Sequence, residues 1–130
     1  MAAILVIDDE ERLARNIASY LQRDGHDLRY AGSAETGLEQ VPDFRPDLVL
    51  LDLHLPGMGG LEALRQLKEL EPDARVVIMT AHANVQSAVE ALKAGAYDYL
   101  TKPLVLRNLK RLVQPSGRAY SIWTFDGRGR

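Results

Sequence analysis

Short apolar runs alternate with amphipathic segments along most of the chain. Five of these runs are predicted to be β-strands, because they are short and rich in apolar side chains. The predicted strands cover residues 2–7, 27–31, 47–51, 74–79 and 97–100. The first, third and fourth are almost continuously apolar, as expected when helices cover both faces of a sheet. The second is more polar, so we place it at an edge of the sheet.

The segments between and after the strands predict five helices. Each carries apolar residues at intervals of three or four, which puts them on one face of a helix. In chain order the predicted inward residues are Leu13, Ile17, Tyr20 and Leu21; Ala34, Leu38 and Val41; Leu61, Leu64, Leu67 and Leu70; Val85, Val89 and Leu92; and Leu106, Leu109, Leu112 and Val113. We expect Gly25 to end the first helix and Ser33 to cap the second, with Pro42 beyond its end. The last helix is expected to start near Leu104.

Five alternating pairs of strand and helix favour an α/β fold with a parallel sheet, right-handed crossovers and helices on both faces. In such sheets, ligands bind beyond the carboxyl ends of the strands. The first strand ends in Asp8 and Asp9, the third in Asp52, the fourth in Thr80 and the fifth in Lys102. If these strands are neighbours, three carboxylates, a hydroxyl and an ammonium meet at one rim of the sheet.

Three carboxylates this close would repel one another unless a cation compensates. Ligands that are all oxygen favour a hard ion, and Mg²⁺ is the usual one. With a divalent ion and Lys102 in place the site is formally neutral, so a phosphoryl group can approach it. A metal, a lysine and a hydroxyl around phosphoryl oxygens are the usual electrostatic provision for phosphoryl transfer.

Each of these residues also has an ordinary interpretation. Acids after the first strand favour a helix start, where the dipole stabilises negative charge, and we assign Glu10 and Glu11 to that role. Asp52 alone could be a loop acid, Thr80 a helix cap and Lys102 a solvated lysine. Taken singly, each ordinary interpretation is the better one. Their shared position at the ends of predicted strands favours a common site.

Composition narrows the class of protein. A chain of 130 residues, 46% of them hydrophobic and 26% charged, fits one globular domain. The formal net charge of −2 gives no reason to expect contact with nucleic acid or acidic membranes. The absence of cysteine excludes disulfides, thiolate metal sites and cysteine nucleophiles. No apolar run approaches the length of a membrane helix, so a cytoplasmic location is expected.

Four motifs resemble one known family, the receiver domains of bacterial two-component response regulators. They are "VIDDE", "VLLDLHLPGMGGLE", "VIMTAHA" and "KAGAYDYLTKPL", in the family's order and spacing, and the similarity runs from about residue 4 to residue 113. The last motif is most similar to receivers of sigma-54-dependent transcription activators. The resemblance implies a receiver domain over residues 1–113 with a flavodoxin-like fold and strand order 2-1-3-4-5.

The resemblance also implies roles for individual residues. Asp52 would be the phosphoacceptor for a phosphoryl group from a histidine kinase. Asp9, Asp52 and the backbone carbonyl of His54 would bind Mg²⁺, and Asp8 would reach the ion mainly through water. The chain would act as a phosphoacceptor rather than as an enzyme with a separate substrate.

The same resemblance implies a switch. Lys102 would contact the phosphoryl oxygens and precede a cis bond to Pro103. Thr80 would move towards the phosphoryl group, and Tyr99 would turn inward. These changes would shift the surface made by the fourth helix, fifth strand and fifth helix. That surface would contact an output domain or a downstream regulator, and it is also where relatives dimerise.

The sequence departs from the family at three places. Gly59 stands where relatives usually carry Asp, Ser or Asn before the third helix, so a looser loop is expected. His54 and His82 follow Asp52 and Thr80 by two residues. One hypothesis is that their imidazoles alter water access to the phosphoryl group; the equally supported alternative is two exposed loop histidines.

The third departure is the tail, residues 114–130, where relatives continue the fifth helix. Pro115 and Gly117 should stop that helix. "YSIWTF" alternates weakly like a strand, whereas "DGRGR" is typical of disorder. The tail could be an artificial addition, a segment that pairs with a neighbouring chain, or a native extension. We favour the first, because Trp123 and Phe125 have no obvious core position.

Three other functions are alternatives to a phosphorylated receiver. A flavodoxin-like cofactor binder needs a loop rich in Gly, Ser or Thr after the first strand, and here that loop is acidic. A hydrolase of the aspartyl-phosphate type would carry a second acid two residues after Asp52, where His54 stands. A receiver that serves only for protein docking stays open until phosphorylation is tested.

Overall fold

The computed structural model of the protein describes residues 2–114. The expectations for residues 115–130 lie outside the described residues. The strands are β1 (Ala3–Ile7), β2 (Asp27–Ala31), β3 (Leu48–Asp52), β4 (Arg75–Thr80) and β5 (Asp98–Thr101). The helices are α1 (Glu11–Gln22), α2 (Ala34–Phe44), α3 (Gly60–Leu70), α4 (Val85–Lys93) and α5 (Leu106–Val113).

All five strands are parallel and form one sheet in the order β2-β1-β3-β4-β5. The flavodoxin-like order expected from the resemblance is thus confirmed, as is the edge position of β2. The strand order reverses between β1 and β3, because β2 lies on one side of β1 and β3 lies on the other. The carboxyl ends of β1 and β3 are therefore side by side. None of the helices within residues 2–114 is long and apolar enough to cross a membrane.

The apolar strands bury side chains on both faces of the sheet. On one face, Ile4 and Val6 pack in a cluster with Ile17 of α1 and Leu109 of α5. On the other, alternate residues of the same strands pack against α2, α3 and α4. Because successive side chains of a strand point to opposite faces, a strand covered on both faces must be apolar throughout. This explains the continuous apolar runs in the sequence.

The face predicted for α4 was wrong. Val85 and Leu92 are 71% and 36% exposed, whereas Ala88 and Ala91 are fully buried. The helix lies close to the sheet through small side chains, which a search for large apolar residues overlooks. In α3, the predicted inward residue Leu70 is likewise 49% exposed, because it lies at the last position of the helix.

Two helix bounds also differ from prediction. α2 continues through Pro42 to Phe44 and ends at Arg45, which has a left-handed backbone (φ 50°). A proline inside a helix removes one backbone hydrogen bond, but burial of Val41 and Phe44 stabilises the last turn. α5 begins at Leu106 rather than near Leu104.

The strands β3 and β4 each run one residue further than predicted. Asp52 and Thr80 are therefore the last residues of strands, paired with Met79 and Thr101 of the neighbouring strands, and do not lie in loops. Both side chains are anchored to backbone that is held on the sheet. This fixes their separation more firmly than a pair of loop positions would.

Candidate functional site

Three carboxylates meet at the carboxyl ends of β1 and β3. Asp8 and Asp9 follow β1, and Asp52 ends β3; each offers an oxygen atom, and these atoms all lie within 4.8 Å of one another. Asp8 and Asp52 are buried, with 0% and 5% of their surface exposed, whereas Asp9 is exposed. The structure thus brings together the acids that the strand-end argument predicted.

Lys102 supplies the positive charge that the sequence predicted at this rim. Its Nζ lies 2.8 Å from Asp8 Oδ2, 2.8 Å from Glu10 Oε1 and 3.4 Å from Asp52 Oδ2. The backbone N–H of Lys102 donates to the carbonyl of Thr80 (2.8 Å), which fixes the residue beside β4. The bond between Lys102 and Pro103 is cis, as expected.

Two backbone N–H groups orient the buried carboxylates. The N–H of Glu10 donates to Asp8 Oδ1 (2.8 Å), and the N–H of His54 donates to Asp52 Oδ1 (3.0 Å). In both acids the second oxygen, Oδ2, faces Lys102. Each carboxylate is therefore held from behind by the loop that follows it, and its remaining oxygen points into the site.

Burial and charge shift the ionisation of two groups. Burial raises the pKa of Asp8, and the contacts with Lys102 and the N–H of Glu10 offset only part of this effect. Burial acts to lower the pKa of Lys102, but hydrogen bonds to Asp8 and Glu10 and the nearby charge of Asp52 outweigh it, so the pKa of Lys102 is raised. Lys102 is consequently a permanent cation at neutral pH.

The residues present fit a hard divalent cation. Three carboxylates share the site with a single ammonium, which leaves an excess of negative charge that Glu10 increases. The pKa of Asp8 is raised mainly by burial, and the neighbouring charge of Asp52 adds a smaller contribution in the same direction. Carboxylate oxygens clustered in this way are the ligands preferred by Mg²⁺ or Ca²⁺.

Thr80 and Tyr99 are both fully buried beside this site. Thr80 Oγ1 accepts a hydrogen bond from the N–H of His82 (3.0 Å). The hydroxyl of Tyr99 lies 2.6 Å from Ser87 Oγ. The resemblance implies an inward turn of Tyr99, and the structure has the ring already inside.

Sequence reasoning missed two residues of this region. Glu10 was assigned only to the helix start, yet its carboxylate contacts Lys102 across 92 positions of the chain. The sequence signal that could have placed Glu10 in the site was its position in a run of acidic residues. Ser87 was not singled out, because nothing local in the sequence reveals its contact with a tyrosine 12 residues later.

A groove of about 440 Å³ opens beside the acidic site. Its walls come from α1, through Leu13 and Asn16, and from the segment after β5, through Pro103 and Leu104. Lys102 and Glu10 also line it. The groove joins a mostly apolar surface to the charged rim.

Comparison with known proteins gives one family. The family described as response regulator receiver domain matches residues 4–114. Regulatory protein AtoC of Escherichia coli is 39% identical over 111 residues, which are 85% of this chain and 24% of AtoC. Transcriptional regulatory protein ZraR of the same species is 41% identical over 111 residues and 25% of its length is covered. The chain thus spans about a quarter of these relatives.

Solved structures of response regulators have the same fold as this chain. A response regulator from Burkholderia pseudomallei, crystallised with a phosphorylated aspartic acid, a calcium ion and citrate, has a TM-score of 0.82 and 34% identity, covering 88% of this chain and 68% of that one. NtrX from Brucella abortus has a TM-score of 0.79 and 37% identity, covering 85% of this chain and 26% of that one.

Proposed function

Because the chain belongs to the family of response regulator receiver domains, we propose that it is a phosphorylation-dependent signalling switch with Asp52 as its phosphoacceptor. The observation that carries the proposal is the position of Asp52 at the end of β3. Its carboxylate lies between Lys102 and the neighbouring acids, on a backbone held by the sheet. A phosphoryl group attached there would be within reach of the ammonium.

Asp9, Asp52 and the backbone carbonyl of His54 would hold Mg²⁺, with Asp8 contributing mainly through water. When bound, the ion would supply positive charge to offset that of the phosphoryl oxygens. The acidic cluster described above supports this assignment. Calcium and a phosphorylated aspartate occur together in the Burkholderia structure.

The transfer itself uses residues of this chain. A carboxylate oxygen of Asp52 would form a bond to phosphorus as the bond to the imidazole nitrogen of a phosphohistidine breaks, in line with it. The released imidazole keeps the electron pair of that bond and takes up a proton. Lys102, already 3.4 Å from Asp52 Oδ2, would exchange part of its contact with the acids for contact with the phosphoryl oxygens.

Phosphorylation would then change the balance between two arrangements of the domain. Thr80 Oγ1 accepts a hydrogen bond from the N–H of His82, and its hydroxyl proton would be the donor to a phosphoryl oxygen. Moving the active arrangement from 1% to 99% takes roughly 5.5 kcal/mol. Two charge-assisted hydrogen bonds, from Thr80 and Lys102, supply about 1.5–3 kcal/mol each.

The readout would be the surface formed by α4, β5 and α5, with Tyr99 reporting the state of the site. Val85 and Leu92 of α4 and Val105 before α5 are exposed apolar residues in these segments. These side chains would be available for contact with an output domain, a downstream regulator or a second receiver.

The partners follow from the same proposal. A sensor histidine kinase would supply the phosphoryl group, in the cytoplasm. An output domain would be of the sigma-54-dependent type, since AtoC and ZraR are similar over this region. We assign residues 1–113 to the receiver domain and 114–130 to a separate tail, with no direct contact to nucleic acid.

Intact-mass spectrometry after incubation with acetyl phosphate tests the proposal. Wild type with Mg²⁺ should gain one phosphoryl group, and Asp52→Asn should gain none. The matched control is Asp47→Asn, since Asp47 is an acid at the opposite end of the sheet, where it accepts from the N–H of Ala3. Equal labelling of wild type and Asp52→Asn would overturn Asp52 as acceptor. Unchanged labelling in EDTA would overturn the metal requirement.

A further inference from the structure

Two exposed histidines face each other beside the acidic site. His54 lies in the loop after β3, and His82 lies in the loop after β4. Their ring centroids are 5.3 Å apart and the ring planes are inclined by 84°. β3 and β4 are neighbouring strands, so the pair spans the gap between two adjacent loops at the mouth of the site.

This separation fits two imidazoles that share one metal ion. Zinc–nitrogen bonds are about 2.0–2.1 Å long, and two rings bound to one ion at a tetrahedral angle have centroids about 5 Å apart. We propose that His54 and His82 form a second cation site, which binds a transition-metal ion such as Zn²⁺, Ni²⁺ or Cu²⁺ through one nitrogen of each ring.

The ligand chemistry separates this site from the carboxylate cluster. Imidazole nitrogens select Zn²⁺, Ni²⁺ and Cu²⁺, whereas carboxylates suit Mg²⁺ and Ca²⁺. Within residues 2–114, the one group of three ligating side chains that can meet on an ion consists of Asp8, Asp9 and Asp52. The histidine pair therefore has two protein ligands, and water completes its coordination. Such a site is open and exchanges its ion readily.

An ion held here would join the two loops that follow Asp52 and Thr80. The N–H of His54 donates to Asp52 Oδ1, and the N–H of His82 donates to Thr80 Oγ1. Fixing both rings also fixes these two N–H donors. If the proposed function holds, the ion slows the movement of Thr80 and so inhibits the switch, but binding of the ion does not depend on that function.

Isothermal titration calorimetry with Zn²⁺ tests the site. The buffer contains enough Mg²⁺ to saturate the carboxylate cluster. His54→Ala and His82→Ala should each raise the apparent Kd at least about tenfold, because loss of even an outer-shell partner of a ligand costs about 10–100-fold. Both side chains are exposed, so the variants retain the fold. Electron paramagnetic resonance spectra of the protein with Cu²⁺ should show nitrogen ligands in wild type and fewer nitrogen ligands in each variant.

His26→Asn is the matched control. His26 is the chain's third histidine, and its Nδ1 accepts from the N–H of Ala2 (3.0 Å), a role that asparagine can fill. This variant should bind Zn²⁺ as wild type does. The proposal would be overturned if neither alanine substitution lowered the Zn²⁺ affinity, or if only one of them did. Because the readout is metal binding, failure here leaves phosphorylation of Asp52 untouched.

Discussion

The hydroxyl of Tyr99 lies 2.6 Å from Ser87 Oγ, and this contact joins β5 to α4. A buried tyrosine hydroxyl needs a partner, and the ring of Tyr99 is fully buried. Ser87 itself belongs to the capped first turn of α4, where its N–H donates to Asn84 Oδ1 (2.8 Å). The position of the tyrosine is thereby tied to the start of the helix.

Ser87→Ala should lower the free energy of unfolding by about 1–3 kcal/mol, because it leaves the Tyr99 hydroxyl buried without this partner. Tyr99→Phe should cost less, since Ser87 is only partly buried. The double variant should show a coupling energy of about 0.5–3 kcal/mol in urea denaturation. Additive effects of the two substitutions would contradict an energetic link between them.

Asp8→Asn should stabilise the protein in EDTA at neutral pH. Burial raises the pKa of Asp8, so the folded state binds this proton more tightly than the unfolded state, and the ionised form costs stability above the ordinary pKa of 3.8. The advantage of Asp8→Asn should therefore shrink as the pH falls towards that value. Thermal unfolding from pH 7 to pH 4 measures it, and an advantage that grows on acidification contradicts the assignment.

Lys102→Met should destabilise the metal-free protein by about 3 kcal/mol, since removing one partner of a buried pair leaves an uncompensated charge. The pKa of Lys102 is raised, so its stabilising contribution is complete below the ordinary value of 10.5 and constant across neutral pH. Adding Asp8→Asn to Lys102→Met should recover part of the loss. Urea denaturation of the two variants checks this, and no recovery would mean that Asp8 is not the group left unpaired.

Gly60→Ala should destabilise the fold by about 1–3 kcal/mol and slow phosphorylation of Asp52. A Cβ at Gly60 would lie 2.5 Å from Leu53 Cα and 2.7 Å from the Asp52 carbonyl oxygen, and backbone atoms cannot move aside cheaply. Gly59→Ala is the matched control, because a Cβ there meets nothing within 4 Å. Equal unfolding free energies for the two variants would show that the close approach at Gly60 is unimportant.

Much of this architecture could be predicted from the sequence, because continuous apolar runs and amphipathic segments report burial directly. Strand ends were displaced by one residue at Asp52 and Thr80, since the pattern of apolar residues stops before a polar residue that still pairs in the sheet. The strand order came from the family resemblance rather than from periodicity, which carries no information on which strands are neighbours.

The site could be predicted in part, because the strand ends could be located in the sequence. Residues at the ends of parallel strands must converge, so Asp8, Asp52 and Lys102 were expected together and lie together. Contacts that depend on the path of a side chain, such as that of Glu10 with Lys102 or Ser87 with Tyr99, leave no trace in a pattern of residue types.

The burial of α4 through Ala88 and Ala91 has a mechanical consequence. A helix that packs through methyl groups has few large buried side chains to repack when it moves, so we expect α4 to shift more easily than a helix anchored by large residues. The acids at the ends of β1 and β3, in contrast, are attached to interior strands of the sheet. In the proposed switch, phosphorylation would therefore take place on the rigid sheet, and the response would be a displacement of α4 against it.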